Sequence, residues 1–528
     1  MVMRVSGLAS GIDYESMIKQ LMDAQRIPSI KLQQDRQILE WKQEQYRDIN
    51  NTLRTFRDTV FNMKLQSTFL TKKTIIADGS VAAVTAGSNA VAGTYTFAVE
   101  QMAVGANITG EKIESDADKS TLGKQLASQD ISGTQSITIS QTLNGTTVTN
   151  TFEVDTDTES IYDLINEINN YKPEDGTWKV KASYDANLDR IFIMSAETGA
   201  GDIAVENGTD STLADALKIT TNPEDPASNK SAAYINGADA SYQFNGVTYT
   251  SASNTVAING LTFNLKGVSA KDDDGDPVAT TVTVTNDTDA VVKVITDFVD
   301  QYNSLVETLS DKLYEKRYTD YEPLTDDQRE KLTDDQIDQW IEKSKSGLLR
   351  NDTILSSILT KVRMTMSSVV PDVSGGYVED GQTIYNDRLS EIGIKTTADY
   401  MSAVLEVNED QLRKAVEKDP EGVMSLFTKT SDTDDYDEMG IASRLYQNIN
   451  YGMDQIFDKA GSASDYNLVD ESYIGKEIKD IDSRLEDWDD RLEQIEDRYY
   501  RQFSAMEQAI SQLNQQSAWL QQQFGSSS

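Results

Sequence analysis

The chain has 528 residues, enough for roughly three or four domains, and 87 acidic residues against 48 lysine and arginine residues give it a formal net charge of −39 at pH 7. This charge repels nucleic-acid phosphates and anionic lipid, so we expect no nucleic-acid partner and no binding to membrane surfaces. The sequence also has no apolar stretch long enough to span a membrane, so we expect no membrane insertion. Neither histidine nor cysteine occurs, which excludes Ser-His-Asp triads, thiol nucleophiles and zinc sites built on those side chains.

The first thirty residues combine an opening of small side chains with a short amphipathic segment. Residues 14–26 have the apolar spacing of a helix, and Asp13 is placed to cap it. We expect Pro28 to interrupt this helix, because proline lacks the amide donor that a helix interior uses. Two interpretations stay open: the segment is disordered until a partner supplies an apolar face, or it packs on its own domain. Its charges indicate that it is not a secretory signal peptide.

A second helical pattern predicts the N-terminal half of a helical stalk over residues 39–74. Its apolar side chains lie three or four positions apart, with Lys42 alone out of pattern. They are Leu39, Tyr46, Ile49, Leu53, Phe56, Val60 and Met63. One apolar face of this length needs a second helix to cover it.

Alternation of apolar side chains with threonine and serine characterises residues 75–230 and 231–288 and predicts two β-rich, mainly antiparallel head segments. Asn144-Gly145 lies between two such runs and indicates a hairpin turn, because both residues tolerate positive φ. One helix is predicted in the first segment, starting after Ser160.

Helical spacing returns at Asp289 and predicts a helical body over residues 289–473. Further helices are expected in it at 325–344, 351–366 and 410–418. Short strand-like runs around Ile392 and Leu405 indicate a β hairpin within this body.

The longest helical pattern covers residues 474–528. Its apolar side chains alternate three and four positions apart, and they include Ile474, Ile478, Ile481, Leu485, Trp488, Leu492, Ile495, Tyr499, Met506, Ala509, Leu513 and Leu520. A repeat averaging about 3.5 residues is the signature of a coiled coil, and such a helix would be about 75 Å long. We expect segment 39–74 to be its partner. The alternative is one helix of an ordinary bundle, although helices in such bundles rarely exceed about 25 residues.

These patterns together predict an α+β multidomain fold, in which terminal coiled-coil helices and a helical body carry inserted, mainly antiparallel β head domains. The predicted segments are 1–38, a flexible N-terminal helix that pairs with the end of the C-terminal helix, then 39–74, 75–230, 231–288, 289–473 and 474–528.

Two acidic loops, 271–277 and 432–438, contain the clustered carboxylates that calcium prefers. In the first, the place where an EF-hand loop needs glycine is Pro277. We therefore interpret both loops as solvated turns, and we expect no metal, no cofactor and no catalytic residue.

Short motifs follow one another in a fixed order between residues 7 and 520. After an amino-terminal signature, the motifs that carry a family resemblance lie at 92–99, 164–169, 254–265, 298–303, 347–352, 389–394, 503–507 and 515–517. The amino-terminal signature consists of Gly7, Leu8, Gly11, Asp13 and Leu21. In these motifs and their order the chain resembles the flagellar filament cap family, also called hook-associated protein 2.

This resemblance implies a non-enzymatic protein at the extracellular tip of the bacterial flagellum, exported by the flagellar secretion apparatus without a cleaved signal peptide. It implies a small ring of copies of the chain, pentameric or similar, that helps exported flagellin to fold and insert. The other implied partners are the hook–filament junction proteins and a cytoplasmic export chaperone.

The helical faces supply a candidate surface for docking on neighbouring subunits, since an apolar face on a helix this long needs a partner. Its predicted residues are Leu53, Phe56, Val60, Leu485, Trp488, Leu492, Ile495, Phe503, Met506, Leu513 and Leu520.

Two other functional classes stay open at this stage. One is a surface adhesin, with a coiled-coil stalk and a β head that binds host glycans or mucin. The other is a glycosidase, because the separation of paired carboxylates cannot be read from a sequence.

Overall fold

The computed structural model describes residues 13–173, 176–221, 232–379, 381–397, 403–462 and 470–525. The chain divides into two compact units. Unit 1 combines Met1–Phe69 with Thr288–Ser528, and unit 2 is Leu70–Asp287. Unit 2 is therefore inserted between the two halves of unit 1, which confirms the predicted arrangement of a helical part carrying an inserted β part.

The helices lie mostly in unit 1. In chain order they are α1 Tyr14–Met63, α2 Gln66–Phe69, α3 Leu122–Gln125, α4 Ile161–Asn170, α5 Leu213–Ala216, α6 Thr288–Tyr314, α7 Asp326–Arg329, α8 Asp334–Lys345, α9 Thr353–Met366, α10 Glu409–Lys418, α11 Pro420–Thr428, α12 Ile441–Ala460 and α13 Tyr473–Gly525.

The strands lie mostly in unit 2. They are β1 Lys72–Ile76, β2 Ala82–Ala86, β3 Gly93–Gln101, β4 Asn107–Gly110, β5 Thr134–Leu143, β6 Thr146–Asp155, β7 Val180–Asp185, β8 Arg190–Ser195, β9 Gly201–Asn207, β10 Ala232–Ile235, β11 Ala240–Phe244, β12 Val247–Ser251, β13 Thr255–Ile258, β14 Leu261–Leu265, β15 Thr280–Asn286, β16 Tyr377–Glu379, β17 Gln382–Ile384, β18 Ile394–Thr396 and β19 Leu405–Val407.

The N-terminal helix α1 runs for 50 residues. Asp13 caps it as predicted, because its Oδ1 accepts the N–H of Ser16 at 3.0 Å. The predicted interruption at Pro28 is wrong, since the proline lies inside the helix. A proline there costs about 3 kcal/mol. The side chains of Met22 before it and Leu32 after it are buried, so packing on both sides of the proline holds the helix together.

The core of unit 1 forms where α1 packs on α6 and α12. Phe56 of α1 stacks on Phe298 of α6, with ring centroids 5.8 Å apart. Leu53, Phe56 and Val60 are at most 1% exposed. The structure therefore corrects their assignment to a docking surface, because helices of the same chain already cover that face of α1.

The helical body matches its predicted elements in part. Helix α6 begins one residue before Asp289 and buries one apolar face, as helical spacing predicts, and helices α9 and α10 also form. The single helix expected over 325–344 is wrong, because α7 and α8 each start with a capping box of their own, Thr325 with Gln328 and Thr333 with Gln336. Helices α11 and α12 are absent from the predicted elements.

Two small sheets stand where one hairpin was expected in the body. Strands β16 and β17 form one, and β18 and β19 form the other. In the second, Ile394 pairs with Val407. The strand-like runs around Ile392 and Leu405 thus pair with each other, as their pattern indicates.

Unit 2 contains two separate apolar cores. The first lies between a five-stranded sheet, β1-β15-β3-β11-β12, and a three-stranded sheet, β13-β14-β2. Phe97 of β3 stacks there on Phe263 of β14 at a centroid distance of 4.0 Å. The strands that build this core come from both ends of unit 2.

The second core of unit 2 lies between the sheets β10-β4-β8-β7 and β6-β5-β9, together with α4. The predicted boundary between residues 230 and 231 lies outside the described residues. The division that it implies is wrong, however, because β3 shares its core with β14, whereas β10 pairs with β4. The second core is thus an insertion within the first.

The local predictions in unit 2 are confirmed. Asn144 and Gly145 have φ of 51° and 79° and join β5 to β6 in a hairpin. Helix α4 starts after Ser160, whose capping box is completed by Asp163. Positive φ and N-terminal capping are local properties, so a few adjacent residues specify them.

Candidate docking surface on the terminal helices

The two terminal helices, α1 and α13, lie side by side and antiparallel. Three contacts show this, because the residue number rises along α1 as it falls along α13 and the residues just before it. They are the rings of Tyr14 and Phe503 at 5.3 Å between centroids, Arg36 Nε to Asp482 Oδ1 at 2.5 Å, and Arg47 Nη2 to Asp470 Oδ2 at 3.1 Å.

Near the N-terminus of α1, a small apolar cluster joins this helix to α13. Ile18 and Met22 of α1 are buried against Leu492 and Ile495 of α13. Half-buried side chains surround the cluster, namely Trp488, Tyr499, Tyr500 and Phe503. For the described part of the N-terminal segment, the structure therefore favours packing on its own chain over disorder.

At the other end of the pair, a hydrogen-bonded carboxylate three residues before α13 joins the start of this helix to α1. Asp470 accepts hydrogen bonds from Gln43 Nε2 at 2.7 Å and from the N–H of Ser472 at 2.9 Å, and it pairs with Arg47. Burial alone would raise the pKa of Asp470, but the hydrogen bonds from Ser472 and Gln43 and the charge of Arg47 lower it below its ordinary value. The ionised carboxylate thus holds the two helices together here.

Beyond Phe503 the helix α13 continues to Gly525, a length of about 33 Å. Met506, Leu513 and Leu520 are 39%, 62% and 46% exposed. Because they are spaced by heptads, they lie on one face of the helix, which we call the distal face. Glu507 is the one charged residue between 502 and 525, so this part of the helix is nearly neutral.

The structure separates the predicted docking residues into three groups. Leu53, Phe56 and Val60 lie in the core of unit 1. A second group packs along α1 or is half-buried beside it, namely Leu485, Trp488, Leu492, Ile495 and Phe503. The third group, the distal face, is exposed. Of the predicted residues, the distal face is therefore the part left open to another molecule.

Trp519 is an exposed aromatic side chain that the heptad pattern misses. It precedes Leu520 by one residue, so it points about 100° away from the distal face. Its signal in the sequence is composition: it is a large aromatic residue in a glutamine-rich, nearly uncharged stretch.

The predicted amino-terminal signature is described in part. Asp13 is the N-cap of α1, and Leu21 is exposed beside the equally exposed Met17. The remaining signature positions, Gly7, Leu8 and Gly11, lie outside the described residues.

The two acidic loops use their carboxylates to hold turns. Asp272 Oδ1 accepts the N–H groups of Asp274 at 3.0 Å and Asp276 at 2.9 Å. Asp435 Oδ1 accepts the N–H of Asp437 at 3.0 Å. Among the residues that the structure describes, no group of three or more carboxylates is arranged to hold a metal ion. Within the same part of the chain, no helix has the length and apolarity to cross a membrane.

Comparison with known proteins matches two parts of the chain to one family. Residues 10–106 match the description "Flagellar hook-associated protein 2 N-terminus", and residues 237–515 match "Flagellar hook-associated protein 2 C-terminus". The stretch between them coincides with the second core of unit 2.

Relatives match over the whole length. The flagellar hook-associated protein 2 of Halalkalibacterium halodurans is 34% identical, over 99% of this chain and 100% of that protein. The protein of the same name from Thermotoga maritima is 26% identical over 99% of this chain and 96% of its own. The crystal structure of domains D1-D2-D3 of the flagellar cap protein FliD from Escherichia coli has a TM-score of 0.53 at 21% identity, covering 83% of this chain and 99% of that one, and shows a similar fold.

Proposed function

We propose, since the chain belongs to the flagellar hook-associated protein 2 family, that it forms the distal cap of the bacterial flagellar filament. As a ring at the filament tip, it promotes the folding and insertion of exported flagellin. The comparisons give no support to the surface adhesin considered from the sequence. This function needs binding surfaces and no covalent chemistry.

The distal face of α13 carries the proposed docking function. Helix α1 covers the apolar side chains of Leu492 and Ile495. Met506, Leu513 and Leu520 continue the heptad spacing, but their side chains are exposed to solvent. An apolar stripe on a long helix is stabilised when a second helix covers it. We assign this stripe to contacts with neighbouring subunits of the flagellar axis.

The near-neutral composition of the distal part supports this role. The chain carries a net charge of −39, so two copies repel each other in general. Between 502 and 525 the repulsion is small, because Glu507 is the one charged residue. At this end of α13, helices from several copies of the chain can therefore approach each other. They can also approach helices of flagellin.

The proposed partners are those that membership of the family implies. They are further copies of the chain in a small ring, flagellin, the hook–filament junction proteins, and a cytoplasmic export chaperone. The proposed location is the extracellular tip of the filament, reached through the flagellar secretion apparatus.

The test is a triple substitution on the distal face, Met506→Asp, Leu513→Asp and Leu520→Asp. All three side chains are exposed, so we expect circular dichroism and the melting temperature of the isolated protein to stay unchanged. Docking would bury three carboxylates without partners, at a cost of several kcal/mol. Cells with this variant should secrete flagellin monomers and make at least about tenfold fewer filaments.

A matched control carries the same charges on the opposite side of the same helix. It is Ser504→Asp, Ser511→Asp and Ala518→Asp, which repeats the heptad spacing about half a turn away. The control should support normal filaments. Normal filaments in cells with the distal-face variant would refute the docking role, and equal loss with both variants would show that added charge alone disturbs the cap.

A further inference from the structure

Strand β6 is a long free edge in unit 2. It is the outer strand of the sheet β6-β5-β9, and it pairs with β5 over ten positions, from Leu143↔Thr146 to Thr134↔Asp155, without a shift in register. Within the described part of the chain, no backbone hydrogen bond joins the other side of residues 146–154 to another segment. A row of backbone donors and acceptors is therefore available for one more strand.

This edge lacks the features that usually protect an exposed strand. Natural edges are short, bulged, or carry lysine or proline, which prevent pairing with another chain. Residues 131–152 contain no charged side chain and no proline, although 26% of the whole chain is charged. The edge strand β1, in contrast, carries Lys72 and Lys73.

The outward face beside this edge is a regular field of hydroxyl groups. Three pairs cross from β5 to β6, namely Thr138–Thr151 at 2.9 Å, Ser140–Thr149 at 2.8 Å and Thr142–Thr147 at 3.0 Å. Each hydroxyl has one donor and two acceptor positions, so it can bond to a further strand while it keeps its present partner. The hydroxyl rows can thus extend across the edge.

We propose that β6 pairs antiparallel with β6 of a second copy of this chain, about a two-fold axis at Thr149. In this register Thr149 lies opposite its own copy and Thr147 lies opposite Thr151, so the hydroxyl faces of both sheets become continuous. Outward side chains then meet outward side chains, which the pleat requires.

The charges are compatible with this partner and this register. Glu153 and Asp155 would lie opposite Gly145 and Leu143 of the second copy, so no carboxylate faces another across the new edge. For two chains of −39 each, close approach costs less at an uncharged edge than at a charged surface. The result is one continuous six-stranded sheet.

The pairing goes beyond the proposed cap function. A two-fold contact uses the same surface on both copies and is complete with one pair, whereas a ring needs a head-to-tail contact between two different surfaces. Two copies therefore form a dimer through β6 while the protein is free and not part of the ring. Its absence would leave the role of the distal face untouched.

Disulfide trapping in the full chain tests the pairing, because the protein contains no cysteine of its own. In Thr149→Cys, two residues opposite each other in an antiparallel pair bring their Cα atoms to about 4.5–5.5 Å, within reach of a disulfide. The control is Thr281→Cys in β15, an exposed residue on a strand with neighbours on both sides. We expect about tenfold more disulfide-linked dimer from Thr149→Cys than from Thr281→Cys.

Equal dimer yields from the two variants would overturn the proposal. So would efficient cross-linking of Thr149→Cys with Thr248→Cys on the edge strand β12 in place of Thr149→Cys with itself, since that shows a head-to-tail edge contact.

Amide hydrogen exchange gives a readout that needs no cysteine. Alternate amides of β6 in the unmodified chain should become protected as the protein concentration rises, because their N–H groups enter the new ladder. The double variant Thr149→Lys and Thr151→Lys adds the protection that natural edges carry, and it should lose this concentration dependence. Exchange in β6 that is independent of concentration in the unmodified chain would also overturn the proposal.

Discussion

The two parts of α13 have the same heptad spacing and different surroundings. Up to Phe503 the helix lies along α1, and its apolar side chains close a cluster with Ile18 and Met22. After Phe503 the distal face is open to solvent. The charge changes at the same place, from a helix rich in aspartate, glutamate and arginine to one that carries Glu507 alone.

This difference shows that a heptad repeat predicts an apolar helix face that another helix covers, but it does not predict which helix that is. For the first part of α13 that helix lies within the chain, and charged side chains support the pairing, as where Asp482 accepts a hydrogen bond from Arg36 of α1. The distal part keeps the repeat and lacks the charge, which suits a surface that is covered by other subunits. Three predictions make this comparison sharper, starting with the largest expected effect.

The largest effect is expected where α1 is fully covered by its own chain. Phe56→Ala should lower the free energy of unfolding of unit 1 by about 3–5 kcal/mol, because it leaves a cavity beside Phe298 and Tyr302. Urea unfolding followed by circular dichroism at helical wavelengths measures it. The control is Phe61→Ala on the same helix, whose ring is 47% exposed and whose loss should cost less than about 1 kcal/mol. Similar losses in both variants would contradict the core assignment.

A smaller effect is expected in the cluster between α1 and α13. Ile495→Ala should weaken the local pairing by about 2 kcal/mol, since the side chain is buried in a small cluster near solvent. Amide hydrogen exchange of residues 14–22 reports this opening. Leu513→Ala is the matched control, five turns further along the helix in an exposed stretch, and it should change exchange there by less than about 0.5 kcal/mol. Faster exchange with Leu513→Ala would mean that the distal part also packs on α1.

The smallest effect concerns the pH dependence at the start of α13. The pKa of Asp470 is lowered in the folded chain, so its contribution to stability is complete above the unfolded value near pH 4 and is lost as the pH falls through the folded value. The carboxylate is partly exposed, so we expect about 1 kcal/mol after solvent screening.

Local exchange at the start of α13, measured from about pH 6 down to pH 2, checks this expectation. Asp470→Asn should remove most of the dependence at this end of the pair and leave the exchange of residues 14–22 unchanged. An unaltered pH profile in the variant would show that another carboxylate controls the junction.

The sequence by itself determined the features that depend on neighbouring residues. The hairpin at Asn144 and Gly145, the capping of α4 at Ser160 and the alternating strands all form where their patterns lie. The long terminal helix, the helical partner at the other end of the chain and the inserted β part were also readable. The two helix starts at Thr325 and Thr333 also have a local signal, because both repeat the capping sequence Thr-Asp-Asp-Gln. The prediction of a single helix over 325–344 missed this signal, since it followed the helical spacing alone.

Only the tertiary structure decided what covers each apolar face. Periodicity shows that Leu53, Phe56 and Val60 face something apolar, but it gives the same signal for a core, an intramolecular pair and a surface for another subunit. The structure assigns that face of α1 to the core, Leu492 and Ile495 to the pairing with α1, and the distal face to solvent.

The same reason explains Pro28 and the nested cores of unit 2. A proline breaks a helix unless packing on both sides outweighs its cost, and packing partners lie far away in the sequence. The strands of each β core also come from distant parts of the chain, so alternation specifies that β3 and β10 are strands and cannot specify that they belong to different cores. Contacts between residues far apart in sequence leave no periodic signal, and for this chain they set the domain organisation.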